Sequence, residues 1–208
     1  MTRLSGAVLL QAVAQRILVG YLNRIGHSDA RSVSNPSRGQ MGVGVDITYT
    51  GGGRTIKVKV KPDSYFGTDP AKVSDRSLVF YRPDAGHYAF ESISNSMTRE
   101  PGWMFNSDAG ELYYYYVSLA QTEDEIAALY GEPDDIFFSE LKIERDELRI
   151  LPMRPTQEWF NSHFEEYAPR PANVGERSAW YRLIPRSDLE NAVTGIRTIS
   201  PIYSAVAR

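Results

Sequence analysis

Between Val43 and Lys61 the chain reads VGVDITYTGGGRTIKVKVK. Two β-rich runs around a glycine turn predict a hairpin. Pairing Thr50 with Thr55 sets Asp46 opposite Lys59. Side chains alternate along a strand, so Asp46, Thr48, Lys57, Lys59 and Lys61 share one face. Val45, Ile47, Tyr49, Ile56, Val58 and Val60 share the other, which belongs in a core. One carboxylate among three ammonium groups is a pattern with two chemical uses. The acid can hold a hard cation, or the lysine strip can hold an anion such as a phosphate or an acidic partner. The same pattern has plain structural accounts. Asp46 opposite Lys59 is a cross-strand ion pair worth a few tenths of a kcal/mol to about 1 kcal/mol. Alternating lysines also suit a solvated sheet face or a protected edge.

Other chemistry is poorly represented. The three histidines, His27, His87 and His163, lack the spacing of metal ligands, and no HExxH helix occurs. Ser92 and Ser94 lie in no G-x-S-x-G elbow. GGGR joins two strands and lacks the Gly-Lys-Ser/Thr ending of a phosphate loop. Cysteine is absent, which excludes disulfides and thiolate metal sites. The net charge of −3 gives no global basic footprint, so any nucleic-acid contact must come from a local patch. Arg31 and Arg38, in the polar stretch 27–40, are cations that could meet a phosphate. The run Tyr113–Tyr116 could stack bases, but adjacent strand residues point to opposite faces and so suit core packing. Trp159 and Trp180 read as core anchors.

Hairpin and flanks need elements to position them. Apolar residues recur at helical spacing over 5–26, with Ser5 as cap and Gly26 closing the helix. Residues 68–80 predict a helix with Thr68 as cap and Pro70 in its first turn. HYAFESISN (87–95) predicts a third strand, and a short helix is expected near 107–110. LYYYYVSLA (112–120) predicts a fourth strand, aromatic on both faces and so central. Thr122 and Glu125 form a capping box for the next helix. IFFSELKI predicts a fifth strand, PTQEWFNSHFEEY a helix and SAWYRLIP a sixth strand. Ser187 and Glu190 are expected to cap a last short helix. With 208 residues and no repeat or linker, one domain is expected over 1–208.

The order helix, hairpin, strand, helix, strand resembles the αβββαβ core of the restriction-endonuclease-like, or PD-(D/E)XK, nuclease superfamily. The segment PGWMFNSDAGELYYYYV is similar to the Gly-Trp, Ser-x-Ala, strand pattern of some members. The resemblance covers roughly residues 5–120, with 121–208 as a C-terminal strand and helix elaboration. It implies an α/β fold with a mixed central sheet flanked by helices. It also implies metal-dependent hydrolysis of phosphodiesters in nucleic acid, with Mg²⁺ as cofactor and DNA as the expected partner. Asp46 matches the first acid of the family motif. Lys59-Val60-Lys61 or Lys57-Val58-Lys59 fills the acid-x-Lys slot, with Lys61 or Lys59 as the lysine. Here the sequence departs from the family, because the second acid is a lysine in either register. Glu91 on the third strand, or Asp63 just past Lys61, is a candidate replacement, so the implied metal set is Asp46, Glu91 and Asp63.

Two further functions remain in play. A catalytically inactive nuclease-fold module would use Lys57, Lys59 and Lys61 to bind an anion or an acidic partner. A structural subunit would use an exposed tyrosine surface for assembly. The N-terminal apolar stretch is too short and too interrupted for a signal peptide or a membrane span, so a cytoplasmic protein is expected.

Overall fold

A computed structural model describes residues 6–33, 44–64, 86–174 and 177–205. Helix α1 (Gly6–Arg24) is followed by a two-residue strand β1 (Arg31–Ser32). The hairpin forms strands β2 (Ile47–Gly51) and β3 (Arg54–Asp63). Thr50 pairs with Thr55, as its register requires. Gly52 and Gly53 take left-handed backbone at the turn, which glycine alone adopts at no steric cost. Then come β4 (His87–Asn95), β5 (Glu100–Pro101), α2 (Trp103–Asn106) and β6 (Glu111–Leu119). The C-terminal half contributes α3 (Glu123–Tyr130), α4 (Asp134–Glu140), β7 (Ile143–Pro152) and α5 (Met153–His163). It ends with β8 (Pro169–Val174), β9 (Arg177–Pro185), α6 (Arg186–Ala192) and β10 (Arg197–Ile199).

The strands make two sheets. The larger has the order β1-β2-β3-β6-β7-β10 and is mixed: β3 and β6 run parallel, and the other neighbours are antiparallel. The smaller, β5-β4-β9-β8, is antiparallel throughout. The third strand of the expected αβββαβ order therefore lies in the second sheet, not beside the hairpin. The strand that joins β3 is β6. The C-terminal elaboration is woven into both sheets, since β7 pairs along β6 and β9 pairs along β4.

Strand β6 divides the core. Tyr113, Tyr115 and Val117 pack with Ile47, Val58 and Val60 against α1, α3 and α4. Leu112, Tyr114 and Tyr116 pack with Tyr88 and Phe90 of the small sheet and with α5 and α6. All four tyrosines are buried. They are core residues, and neither a base-stacking platform nor an assembly surface is built from them.

Several local expectations are corrected. Helix α2 begins at Trp103 and Ser107 ends it, so the short helix precedes 107–110. IFFSELKI is not a strand: 134–140 is helical, with Pro133 before it and Asp134 and Asp135 in the first turn. Acids there complement the helix dipole. The strand is the following segment IERDELRILP, where Asp146, Leu148 and Ile150 are the buried alternates of a period-two pattern. Pro185, not Ser187, precedes α6, and Glu190 bonds the Tyr88 hydroxyl instead of a cap. Trp180 is 36% exposed, whereas Trp159 packs at the edge of the core. The helix expected over 68–80, Arg38 and the Ser5 cap lie outside the described residues.

Candidate functional site

The polar face of β3 looks toward the small sheet. Asp46 continues the hairpin ladder, its N–H donating to the Val58 carbonyl at 2.8 Å. Its carboxylate Oδ2 then accepts the Val60 N–H at 2.7 Å and stands 3.0 Å from Lys59 Nζ. Both side chains are mostly buried, at 17% and 16% exposure. The cross-strand ion pair expected from the register is therefore present. Unlike a surface pair it is largely shielded from solvent, and the acid also accepts from a backbone donor that lies beyond the end of β2. Lys59 also lies over the Trp103 ring, 5.8 Å from its centroid.

Two residues further on, Lys61 reaches deeper. The residue as a whole is half-buried, but its ammonium end is packed among protein atoms. Nζ donates to the Pro62 carbonyl at 3.3 Å and lies 5.4 Å from the Tyr181 ring centroid. Burial holds this ammonium below the ordinary lysine range. The charges of Asp63 and Glu91 oppose that shift, while Lys59 adds to it. The sequence-predicted residues Lys59, Asp63 and Glu91 thus all lie close enough to bear on the charge of Lys61.

Each carboxylate is braced by a neutral donor. Asp63 Oδ2 accepts the Tyr114 hydroxyl at 2.8 Å. Glu91 Oε2 accepts the Tyr181 hydroxyl at 3.0 Å, and Oε1 accepts the Trp103 N–H at 3.3 Å. Tyr181 is the cross-strand partner of Glu91 on β9. Trp103 is brought in by the turn at Pro101-Gly102, where the Gly102 N–H bonds the Ser92 carbonyl at 3.0 Å. A Cβ at Gly102 would overlap the Glu91 carbonyl, so only glycine lets this turn lie against β4. Sequence reasoning named the charged residues but not Tyr114, Tyr181, Trp103 or Gly102 in these roles. The Gly-Trp pair was visible in the sequence, but the cross-sheet contacts that use it were not.

Among the described residues, no group of three or more His, Asp or Glu side chains stands together as a metal cage, Asp46, Glu91 and Asp63 included. Hard divalent ions such as Mg²⁺ need less, because one or two carboxylates suffice when water and phosphate oxygens complete the shell. Asp63 and Glu91 are oxygen donors of the right chemistry, and both act on the Lys61 ammonium. Lys57, also on this face, is half-buried on β3 opposite Thr48, whose buried hydroxyl has no hydrogen-bond partner. Two of the three strip lysines therefore stand among acids, and the strip is not a uniformly cationic surface. Arg31 lies apart on β1 and reaches the Asp29 carbonyl at 3.5 Å.

No family model matches the chain, and neither a curated protein nor a solved structure matches it. Among the described residues no helix is long and apolar enough to cross a membrane.

Proposed function

We propose that this protein is a PD-(D/E)XK-like, Mg²⁺-dependent phosphodiester hydrolase acting on nucleic acid, with Asp63 and Glu91 as its acid pair and Lys61 as its lysine. The observation that carries the reading is the packing of the Lys61 ammonium against the Tyr181 ring, whose hydroxyl donates to Glu91, with Asp63 two residues along the same face of β3. A charge placed in so unfavourable a setting costs stability, and such perturbed groups concentrate at functional sites. A bound Mg²⁺ would polarise a phosphoryl oxygen and lower the pKa of its water. Lys61 would stabilise negative charge developing on the phosphoryl oxygens, where a desolvated cation acts most strongly. Tyr114, Tyr181 and the Trp103 N–H keep the two carboxylates oriented. Asp46 serves the site by holding Lys59 and the Val60 backbone in place.

The test is cleavage of labelled single- and double-stranded DNA with Mg²⁺ or Mn²⁺. Asp63→Asn and Glu91→Gln are each expected to lower the rate by about 10²-fold or more, at least the upper end of the 10- to 100-fold that loss of a group orienting a metal's ligands costs. Metal-independent cleavage, or unchanged rates in both variants, would contradict the reading.

A second reading has its own support. The family's first acid, Asp46, is already engaged by Lys59, which favours a nuclease-fold module that binds an anion without cutting. That reading predicts salt-sensitive DNA binding that weakens when Lys57, Lys59 and Lys61 are all made Gln, and no metal-dependent cleavage.

A further inference from the structure

Tyr114 joins the two halves of the site. A phenol has one proton to donate and lone pairs to accept with. Here the Ala89 N–H donates to the Tyr114 oxygen at 2.8 Å, so the single hydroxyl proton is directed to Asp63 Oδ2, also at 2.8 Å. Tyr114 belongs to β6, and Asp63 to the parallel neighbour β3. Ala89 belongs to β4 in the other sheet, two residues before Glu91 and on the same strand face. One side chain therefore ties the Asp63 carboxylate to the backbone that carries Glu91. Burial, and then the Asp63 charge, keep this phenol protonated well above the ordinary tyrosine range, so it remains a donor. Its ring is held independently of these bonds, by Tyr116 at 4.8 Å, Tyr88 at 5.0 Å and Phe90 at 6.4 Å between centroids.

We propose that Tyr114 is a positioning residue of the acid pair: its hydroxyl fixes Asp63 relative to Glu91 so that the two carboxylates present a preset spacing to a divalent cation. The proposal rests on the reading of Asp63 and Glu91 as metal-binding acids. Groups that orient a metal's ligands are commonly worth 10- to 100-fold in affinity. The strand supplies its own control. Tyr115 is equally buried and donates to a carboxylate, Asp146 Oδ2 at 2.7 Å, but on the opposite face of β6.

The experiment is a calorimetric titration of the full chain with Mn²⁺, comparing wild type, Tyr114→Phe, Tyr115→Phe and Asp63→Asn. The Phe ring keeps the packing of Tyr114 and removes only the hydroxyl. Tyr114→Phe is expected to weaken Mn²⁺ binding by about tenfold or more, with Tyr115→Phe unchanged and Asp63→Asn without binding. In the wild-type protein, Mg²⁺ addition is expected to shift the Ala89 amide resonance and leave those of Ile202 and Tyr203, which bond Asp146, in place. If Tyr114→Phe binds as wild type while Asp63→Asn does not, Tyr114 has no positioning role and the acid pair stands. Equal weakening in Tyr115→Phe would mark a general loosening and also overturn the proposal. Should Tyr114→Phe fail to fold, an Ala89 amide unmoved at saturating Mg²⁺ decides against it. A wild-type protein that binds no Mn²⁺ overturns both the acid pair and the proposal.

Discussion

Lys61 carries a cost that its neighbours only partly offset. Burial lowers its affinity for a proton in the folded chain. In the unfolded chain it titrates near the ordinary lysine value, about 10.4. The unfolded state therefore binds more protons between the lowered folded pKa and the ordinary value, and stability from this group rises with pH across that window. Below the window the charged ammonium is a penalty. Lys61→Met should accordingly raise the thermal midpoint at neutral pH and flatten the rise on the alkaline side, while removing any cleavage or anion binding. Melting curves of both proteins from pH 7 to 11 check this, and a lower midpoint for Lys61→Met at pH 7 would contradict it. Gain of stability with loss of activity is the usual sign of a strained functional group. The identities of Asp46, Lys59, Lys61, Asp63 and Glu91 were all legible in the sequence, because charge on a period-two strand is conspicuous. The donors that brace the acids, Tyr114, Tyr181 and the Trp103 backbone N–H, were not, because those contacts are made between elements far apart in the sequence.

At the scale of elements, the site depends on how β4 meets the turn before α2. The β4–β9 register slips between Glu91 and Ile93, and the Gly102 turn fits against that irregularity through the Ser92 carbonyl. Gly102→Ala forces a methyl into the Glu91 backbone. Overpacking of this kind costs about 1–3 kcal/mol, and here it also moves the Trp103 N–H off Glu91. The expected outcome is a lower unfolding free energy in urea together with weaker metal binding. A stability loss with metal affinity intact would separate the turn from the site. The hairpin, α1, β4 and β6 were readable from periodicity and turn residues. The errors fell where two patterns compete. IFFSE looks like a buried strand by composition, yet its preceding proline and paired aspartates start a helix. In IERDELRIL the charges obscured the alternation that makes it a strand.

Over the whole molecule, the C-terminal segment is locked onto the large sheet by a buried acid. Asp146 is 3% exposed and accepts the Tyr115 hydroxyl and the N–H groups of Ile202 and Tyr203. Asp146→Ala leaves three buried donors without their acceptor, at about 1–3 kcal/mol each before relaxation. It should lower stability markedly and speed amide exchange at Ile202 and Tyr203. Unchanged exchange there would contradict the role of Asp146 as the anchor. The interleaving of both chain halves in both sheets could not be read from the sequence, because register and strand order are set by long-range packing that no local pattern encodes. Packing of the small sheet against β6 is what brings β3 and β4 near each other, and the proposed use of that junction is to hold a divalent ion at Asp63 and Glu91. Since ion binding does not require knowledge of the substrate, a calorimetric Mn²⁺ titration of wild type against Glu91→Gln tests that claim most directly. Saturable binding by the wild type that is lost in Glu91→Gln is the predicted result. No binding by the wild type, or identical binding by the variant, would contradict it.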